Sequence, residues 1–444
     1  MKTEWKQARV GDILKIRNGY AVKSSDYSRE GIPLIRQSDI DGDMIDISTA
    51  KRVPKRVMEE CGQYLVRKGD LLIGMSGSLG KIGRYVDEEV AVQNQRTGLL
   101  QLKPGFSPGF ARLVLKFVEP QIIAEGKGVA VQNVSAKEIE ACTFPLPPEE
   151  EREEIVAEIE KQFTRLDAGV ASLKRVQTAL KRYRASVLKA ACEGRLVPTE
   201  TELARKENRS YETGEQLLQR ILKERRAKWS GKGKYKEPAT PTIVDPPSLP
   251  EGWTWASLDQ LMLNITDGDH QPPPQTDSGV PFLVIRDVRS RKLDFDDTRF
   301  VSREYANQVD PFRKPAKGDI LYTLVGSYGI ALRVTTDQEF CIQRHIGVLR
   351  PHELSPVVYL AHILNSSFIF GQATKVATGT AQMTVPLAGL RRVAIPLPPV
   401  AEHSRIVAEV DRRLSVLEEL EAARSTELQR AARLRQSILH LFLT

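Results

Sequence analysis

The chain has 444 residues, with 65 Lys and Arg against 57 Asp and Glu, so its formal charge is +8 and its pI is near 9.2. At roughly 150 residues per domain, this length is too great for a single compact domain. A hydrophobic content of 41% excludes a disordered or fibrous chain. The basic excess favours a polyanionic partner. No apolar run is long enough for a signal peptide or a membrane span, so we expect a cytoplasmic protein without a membrane partner.

The four cysteines form no recognisable pattern. Cys61, Cys142, Cys192 and Cys341 lie far apart, and none belongs to a CxxC pair. This spacing argues against a zinc ribbon and against a disulfide framework. We expect reduced thiols with structural roles.

Residues 1-145 are predicted to form a first domain of α+β class. Short β-branched runs such as 70–74 are separated by Gly, Pro and Asp, which is typical of strands and turns. One helix is predicted around 109–118. The domain closes at Pro145-Leu-Pro-Pro148, where the prolines end a strand and begin a helix.

Residues 146-195 are predicted to form a long helix. Glu149, Glu150 and Glu151 face the positive end of its dipole. An apolar heptad pattern follows, and roughly 43 residues make a helix about 65 Å long. One core position holds Val156, Phe163, Val170, Gln177, Arg184 and Ala191, and the other holds Ile159, Leu166, Leu173, Leu180 and Val187.

Residues 196-250 are polar and are predicted to be a linker with one short amphipathic helix, over 215–229. Between Arg220 and Lys236 there are eight basic residues and one acid, Glu224. A solvated charged surface is the more common outcome for such a run. Contact with phosphates is the alternative.

The second half of the chain repeats the first. Trp5 and Trp253 are 248 residues apart, the Lys-Gly-Asp motifs at 68–70 and 317–319 are 249 apart, and the Pro-Leu-Pro-Pro motifs at 145–148 and 396–399 are 251 apart. The repeat predicts a second domain over 251-396 and a second long helix over 397-444. We expect the two helices to pack on each other, with polar residues at Gln177, Arg184, Glu421 and Arg424 fixing the register. The alternative is that each helix packs on its own domain.

The sequence contains no recognisable catalytic motif. Gly77-Ser-Leu-Gly80-Lys81 lacks the spacing of a phosphate loop and is predicted to be a turn. Asp245-Pro-Pro-Ser248 lacks the aromatic residue with which amino-methyltransferases stack a flipped base. The six histidines lack metal-ligand spacing. We therefore expect a binding protein with no catalytic residue, metal or cofactor of its own.

Two other functions stay open at this point. Acidic residues near strands would hold a divalent metal in a duplicated DNA endonuclease, although acidic turns are the simpler explanation. These residues are Asp41, Asp43, Asp46, Asp294, Asp296 and Asp297. A structural adaptor would instead present the Pro-Leu-Pro-Pro motifs as peptide ligands, but their position between strand and helix predicts that they are partly buried.

Polar side chains that can hydrogen-bond to bases and phosphates recur at matching places in the two domains. Scaffold motifs repeat while these polar segments differ, which indicates two similar domains that recognise two different half-sites. The candidates in the first domain are Lys23, Arg36, Ser76, Ser78, Lys81, Gln93, Asn94, Gln95, Arg96, Lys127, Gln132 and Asn133. Those in the second are Arg286, Ser327, Tyr328, Gln343, Arg344, His345, Lys375 and Gln382.

Several segments together resemble the specificity subunit of type I restriction-modification systems. They are the proline motif with its acidic helix start (145–160), the stretch from Lys181 to Leu196, the Leu-Pro-Glu-Gly-Trp-Thr-Trp entry to the second domain (249–255), and the second proline motif with its helix. The resemblance covers essentially the whole chain, in the order domain, helix, domain, helix.

The resemblance implies a fold and a set of partners. Two target-recognition domains would be separated by two long antiparallel coiled-coil helices with internal pseudo-two-fold symmetry. Each domain would read half of a bipartite, asymmetric site in double-stranded DNA. Two methyltransferase subunits, which bind S-adenosylmethionine, would dock on this chain. The resemblance leaves open whether two ATP-dependent restriction subunits also bind.

Overall fold

The structure, a computed structural model, describes residues 5–56, 62–128, 132–231, 233–243, 246–270, 273–380 and 382–444. Cys61 and Asp245, the first residue of the methyltransferase-like motif, lie outside the described residues. The described part of the chain contains no helix that is both long and apolar enough to span a membrane. The chain divides into two compact units: unit 1 is Met1–Lys174 with Arg424–Thr444, and unit 2 is Arg175–Ala423.

Unit 1 combines small sheets with short helices and part of both long helices. Its strands are β1 (Lys6–Arg9), β2 (Leu14–Asn18), β3 (Ile32–Ile35), β4 (Ile40–Asp41), β5 (Met44–Ile45), β6 (Lys51–Val53), β7 (Leu65–Val66), β8 (Leu71–Gly74), β9 (Ile82–Arg84), β10 (Ala91–Gln93), β11 (Thr97–Leu102) and β12 (Thr143–Leu146). Its helices are α1 (Val10–Ile13), α2 (Pro108–Phe117), α3 (Glu119–Ala124), α4 (Ala136–Ala141) and the start of α5 (Glu149–Cys192). Short 3-10 turns lie at Ser24–Asp26, Gln37–Asp39 and Gly62–Tyr64.

Unit 2 has the same kinds of element. Its strands are β13 (Thr254–Ser257), β14 (Met262–Asp267), β15 (Val280–Leu283), β16 (Arg299–Val301), β17 (Ile320–Thr323), β18 (Ala331–Arg333), β19 (Cys341–Ile342), β20 (Ile346–Pro351) and β21 (Ala394–Leu397). Its helices are α6 (Glu200–Glu207), α7 (Gly214–Ala227), α8 (Leu258–Leu261), α9 (Ile285–Val288), α10 (Arg303–Gln308), α11 (Val357–Ile363), α12 (Ser367–Val376), α13 (Leu387–Arg391) and the start of α14 (Val400–Leu443).

The sheets of the two units follow the same plan. The order β2-β11-β8-β9 in unit 1 corresponds to β14-β20-β17-β18 in unit 2, and β6-β3-β10 corresponds to β16-β15-β19. The first strand of each unit pairs antiparallel with the strand that leads into a long helix, at Gln7 with Pro145 and at Trp255 with Pro396. Both proline motifs therefore begin inside a sheet, and the prediction that they are partly buried is confirmed.

Isolated β-bridges confirm the duplication residue by residue. Each bridge in unit 1 has a counterpart in unit 2, shifted by 248 to 251 residues. The pairs are Tyr20–Asn94 with Asp269–Gln343, Ser28–Arg52 with Thr276–Phe300, Ser76–Asn133 with Val325–Thr384, and Lys127–Asn133 with Thr378–Thr384. The α+β class and the predicted helices near 109–118 and 356–364 are likewise confirmed.

Helix α5 buries several of its predicted heptad positions, and apolar residues of α14 cover them. In unit 1, Val156, Ile159 and Phe163 of α5 share a core with Leu439 and Leu443 of α14. In unit 2, Val187 and Ala191 of α5 share a core with Ile406 and Val410 of α14.

Polar contacts show the direction of the helix pair. Asp167 pairs with Arg435, and further along α5 Arg184 pairs with Glu421 at 3.3 Å. The partner number falls as the α5 number rises, so the helices are antiparallel. The polar residues Arg184 and Glu421 therefore interact between the helices, as their place in the heptad pattern predicts.

The segment that we predicted to be a linker is folded onto unit 2. Helix α7 lies within the predicted helix, and its Leu217, Leu218 and Ile221 are buried with Trp253 in the unit 2 core. Helix α6, which was not predicted from the sequence, brings the buried Glu200 into an ion pair with Arg405 of α14 at 2.7 Å. Residues 200–227 are thus an integral part of unit 2 and do not act as a free tether.

Four of the eight cations from Arg220 to Lys236 have partners within the described residues. Arg220 pairs with Glu212 at 2.9 Å, Lys228 pairs with Glu353 at 2.7 Å, and Arg226 pairs with Glu237. Arg225 donates to two backbone carbonyls, one in α8 and one at the start of β14. These contacts favour a structural role for the stretch.

The described cysteines have no disulfide partner. Cys142, Cys192 and Cys341 are buried free thiols, as predicted.

Candidate nucleic-acid interface

In unit 1 a three-residue turn connects two sheets. Strand β10 ends at Gln93 in the four-stranded sheet, and β11 begins at Thr97 in the six-stranded sheet. The Thr97 hydroxyl donates to the Asn94 carbonyl at 2.8 Å, and the Gln95 amide donates to the Tyr20 carbonyl at 2.9 Å. These bonds fix the turn while the Gln95 and Arg96 side chains stay exposed.

The turn needs a glycine beside it. A Cβ on Gly19 would lie 2.1 Å from the Asn94 carbonyl oxygen, and a Cβ on Gly268 would lie 2.3 Å from the Ile342 carbonyl oxygen in unit 2. No residue with a side chain fits such an approach between backbones. The glycines at the two equivalent positions show that both units hold this turn in the same way.

A second turn, between β8 and β9, approaches the first. Gly77 and Gly80 both have φ of +77°, which favours glycine. The Gly77 amide donates to the Gln132 carbonyl at 2.7 Å, and the Gln37 side-chain amide donates to the Ser78 carbonyl at 2.8 Å. The prediction of a turn here, in place of a phosphate loop, is confirmed.

These turns enclose an open cleft of about 620 Å³. Of the described residues that line it, three are basic and none is acidic. The lining comprises Val22, Tyr27, Arg36, Gln37, Ser38, Ser76, Gly77, Ser78, Lys81, Asn94, Gln95 and Arg96. A neighbouring cleft of about 490 Å³ shares Ser76, Gln95 and Arg96 and adds Asn18 and Asn133.

The three cations of the cleft differ in whether they form an ion pair. Arg36 is held by Asp39 at 2.9 Å, and Asp39 also accepts the Arg36 backbone amide at 2.8 Å. Lys81 and Arg96 are exposed and form no ion pair within the described ranges. A concave, polar surface with two unpaired cations suits a polyanion that also presents hydrogen-bonding edges.

Unit 2 has a cleft at the equivalent turns, but its chemistry differs. Its lining comprises Asp267, His270, Leu324, Val325, Arg344, His345, Gln382, Thr384, Val385, Pro386 and Leu387, around a volume of about 330 Å³. Arg313 pairs with Asp267 at 2.9 Å. Burial and the charge of Arg344 lower the pKa of His345, so His345 is predominantly neutral at pH 7. The unit 2 cleft is smaller and more apolar than that of unit 1.

An aromatic pair next to the unit 2 turn has no counterpart in unit 1. Tyr328 stacks on Phe370 with ring centroids 5.3 Å apart, and Phe370 is exposed. At the equivalent positions of unit 1, Leu79 is buried and Glu119 lies against Gly80. The two units therefore share a scaffold and present different side chains on it.

Two predicted contact residues are engaged within unit 1. Gln93 is completely buried, and its amide donates to the backbone carbonyls of Arg17 and Thr97 at 3.0 and 2.7 Å. Its prediction as a DNA contact is wrong for this conformation, because the strand continues through Gln93 before the chain turns. Lys127 forms an ion pair with Glu138 at 2.6 Å, which lowers the pKa of Glu138 to about 2.

The other candidates divide between the cleft linings and the surface around them. The clefts bring together Arg36, Ser76, Ser78, Lys81, Asn94, Gln95, Arg96 and Asn133 in unit 1, and Arg344, His345 and Gln382 in unit 2. Candidates outside these linings are Lys23, Gln132, Arg286, Ser327, Tyr328, Gln343 and Lys375. Arg286 is engaged by Asp287 at 2.9 Å.

Several lining residues are not among the candidates predicted from the sequence. Gln37 and Tyr27 line the larger unit 1 cleft, and His270 and Thr384 line the unit 2 cleft. Gln37 could have been predicted, because it directly follows the buried strand β3 and the candidate Arg36. Tyr27 and His270 carry no comparable local signal, because the chain reaches the cleft there through loops.

The acidic groups behind the nuclease alternative are engaged in turns and ion pairs. Asp43 pairs with Arg112 at 3.0 Å and also with Lys116. Asp46 and Asp294 accept backbone amides two residues ahead, at 2.8 and 3.0 Å. Among the described residues, no group of three or more His, Cys, Asp or Glu side chains could hold a metal ion. These contacts give the nuclease alternative no support.

The fold and the site define a duplicated nucleic-acid recognition protein, in which two like domains with unlike clefts are joined to two antiparallel helices. The type I restriction modification DNA specificity domain matches residues 2–179 and 273–430, so the chain belongs to this family. It is a specificity subunit of a type I restriction-modification system, with two DNA specificity domains.

Individual relatives agree with this assignment. The specificity subunit of the type I restriction enzyme EcoBI of Escherichia coli is 26% identical over 98% of this chain and 84% of the relative. That of EcoKI, from Escherichia coli strain K12, is 20% identical over 98% of this chain and 87% of the relative. A solved structure from work on complex assembly and conformational transition of the type I R-M system covers 100% of this chain and 98% of its own, with a TM-score of 0.59 and 21% identity. This structural likeness shows the same fold.

Proposed function

We propose that unit 1 and unit 2 each read one half of a bipartite, asymmetric DNA target. The observation that carries this proposal is the repeated set of β-bridges, which presents a turn and a cleft at the same place in both units with different side chains. Because the two scaffolds are alike, we expect both units to dock on DNA in the same way. Because their side chains differ, we expect them to read different base sequences.

The unit 1 cleft offers groups for both parts of recognition. Arg96 and Gln95 are exposed on a fixed turn, and such side chains pair bidentately with guanine and adenine in the major groove. Lys81 lies on the opposite turn and suits a phosphate. In unit 2, Arg344 and His345 take the places of Gln95 and Arg96 at an offset of 249 residues, and Ile330 stands in place of Lys81. Gln382 adds an amide to the lining of the unit 2 cleft.

The long helices would set the spacing between half-sites and dock two methyltransferase subunits. Support comes from the apolar side chains of Val416 and Leu420, which are exposed one helical turn apart on α14. Helix surfaces of this kind pack against partner helices. In this proposal the methyltransferase subunits bind S-adenosylmethionine and this chain contributes recognition. Two ATP-dependent restriction subunits would complete a nuclease where they are present.

Methylation mapping tests the bipartite target. Cells that express this chain with its methyltransferase subunits should methylate adenines in a motif of two defined halves separated by a non-specific spacer. Scrambling either half in a DNA duplex should abolish sequence-specific binding by the purified complex. Binding that is indifferent to one half would contradict the proposal.

Arg96→Gln tests the unit 1 cleft. Loss of a bidentate contact should weaken specific binding by about 1–3 kcal/mol and relax the preference at one position of one half-site. Arg67→Gln is the matched control, because Arg67 is exposed and lies at the other end of β8 from the Gly77 turn. Fluorescence anisotropy with the mapped duplex and with single-base variants measures both effects. Equal losses for the two variants would count against the cleft as the reading surface.

A further inference from the structure

The two units differ in charge at one equivalent turn. After the helical turn Gln37–Asp39, unit 1 continues through Gly42 and Asp43, and unit 2 continues at the same place through Ser290 and Arg291. The correspondence is fixed by a shared hydrogen bond. The Asp46 amide donates to the Asp39 carbonyl at 2.8 Å, and 248 residues later the Asp294 amide donates to the Asp287 carbonyl at 2.9 Å. Arg291 therefore stands where unit 1 has Asp43.

In unit 1 the Asp43 carboxylate lies among cations. Lys116 and Arg112 of α2 form ion pairs with it, and Arg435 of α14 is close enough to affect it. Burial would raise the pKa of Asp43, but the hydrogen bond from Lys116 and the three positive charges lower it. Unit 1 thus supplies its own anion to this group of cations.

In unit 2 the same place lacks that anion. Asn365 replaces Lys116 at an offset of 249 residues, Arg184 of α5 replaces Arg435 at 251, and Arg291 replaces Asp43. The Arg291 Nε donates to Asn365 Oδ1 at 3.1 Å. The Asn365 amide is itself fixed, because its Nδ2 donates to the carbonyls of Ala331 and Ala361, both at 2.8 Å. In the described part of the chain, the two Nη atoms of Arg291 have no hydrogen-bond acceptor.

This guanidinium faces an open cavity of about 630 Å³ that lies wholly within unit 2. The lining comprises Lys181, Arg184, Ala185, Leu188, Ser290, Arg291, Lys292, Asn365, Glu418 and Glu421. Arg184 pairs with Glu421 at 3.3 Å, and Lys292 lies 3.9 Å from Glu418. Among the described residues, the other two cations of the lining, Arg291 and Lys181, form no ion pair, so the lining holds four cations and two carboxylates. Burial and the neighbouring Arg184 lower the pKa of Arg291, and they outweigh the opposing effect of Glu421.

We propose that this cavity in unit 2 binds a phosphate group, which takes the place that the Asp43 carboxylate occupies in unit 1. A guanidinium held at Nε with both Nη atoms free presents a fork that matches two phosphate oxygens. Lys181 adds a second positive charge on the facing helix. The cavity is much larger than one phosphate, so it suits either a backbone phosphate of DNA or a free phosphate compound that carries a larger group.

Calorimetric titration of the full chain with inorganic pyrophosphate tests the site without DNA, and so independently of the proposed DNA-reading function. The chain should bind pyrophosphate, and Arg291→Asp should weaken binding by about tenfold or more, because a charge-assisted contact is replaced by like-charge repulsion. Arg289→Asp makes the same charge change at an exposed residue outside the lining and should bind as the unchanged chain does. Arg291→Gln, a milder change, should also weaken binding and covers the case in which the aspartate variant fails to fold.

A second arm identifies the source of the phosphate. For a DNA phosphate, Arg291→Gln should lower the salt slope of log K for a random-sequence duplex by about 0.9, measured by anisotropy with the methyltransferase complex. For a free phosphate compound, the slope should stay unchanged while pyrophosphate binding is lost. The proposal is overturned if Arg291→Gln alters neither quantity, or if Arg289→Asp reduces pyrophosphate binding as much as Arg291→Asp does.

Discussion

At the scale of single residues, burial decides which side chains titrate and which can reach DNA. His403 in the first turn of α14 packs against Tyr359, with ring centroids 5.4 Å apart, and burial lowers its pKa to about 4. In the unfolded chain the same imidazole has a pKa of about 6.5. The unfolded state therefore binds a proton between these values while the folded state does not, and stability falls as the pH drops through this window.

This difference predicts an acid sensitivity of unit 2. Between pH 7.5 and pH 5, His403 alone should reduce the free energy of unfolding by about 2 kcal/mol. Urea unfolding followed by tryptophan fluorescence at the two pH values measures it, and His403→Leu should shrink the difference whatever its effect on stability at pH 7.5. His270→Leu is the control, because His270 is 59% exposed. An unchanged pH dependence in His403→Leu would contradict the assignment.

At the scale of elements, α7 shows how a polar segment becomes part of a core. Three apolar side chains on one face of this helix are enough to bury it against Trp253, while its other face stays charged. Periodicity within the segment predicts the helix. It does not predict the surface that receives it, because that surface is assembled from β13, α8 and α14, which are distant in sequence.

Leu217→Ala tests the role of α7. Leu217 is 1% exposed, so its truncation should destabilise unit 2 by about 3 kcal/mol through lost burial and a cavity. Lys223→Ala, on the exposed face of the same helix, should change stability by less than about 0.5 kcal/mol. Limited proteolysis should cleave within 200–227 faster in Leu217→Ala alone. Equal rates for both variants and the unchanged chain would show that the segment is a loose tether.

The difference between local patterns and contacts among distant segments explains how much of the site could be predicted from the sequence. The repeat, the two long helices, the helix near 109–118 and the turn at Gly77 follow from local patterns in the sequence, whereas α6 does not. Gln93 and Gln95 look alike in sequence, yet one is buried in β10 and the other is exposed on the turn, because the strand ends between them. Gln37 joins the cleft only because two sheets bring β3 and β8 together. Predicting such contacts requires the position at which each strand stops and the sheet to which it belongs.

At the scale of the whole molecule, the repeat means that the C-terminal part of α5 can pack in the place of the C-terminal part of α14. Leu188 and Cys192 of α5 are offset by 251 residues from Leu439 and Leu443 of α14. In unit 1 the latter two cover Val156, Ile159 and Phe163. A second copy of residues 1–195 carries Leu188 and Cys192 and can therefore supply the missing cover.

Truncation after residue 195 should consequently give a symmetric dimer. Light scattering coupled to size exclusion should report twice the mass of the fragment, and the dimer with methyltransferase subunits should methylate a palindromic motif made from the unit 1 half-site. Leu188→Glu in the truncated chain should prevent dimerisation. A truncated chain that stays a stable monomer would contradict the equivalence of the two helices.

Unit 1 is discontinuous, since it combines residues 1–174 with residues 424–444, whereas unit 2 is one uninterrupted stretch. A ribosome releases the chain from its amino end, so the apolar strip of Val156, Ile159 and Phe163 emerges some 260 residues before the segment that covers it. Unit 2 can complete its core during translation, and unit 1 must wait for the final turns of α14. The strip therefore stays uncovered by α14 until synthesis of that helix is nearly complete.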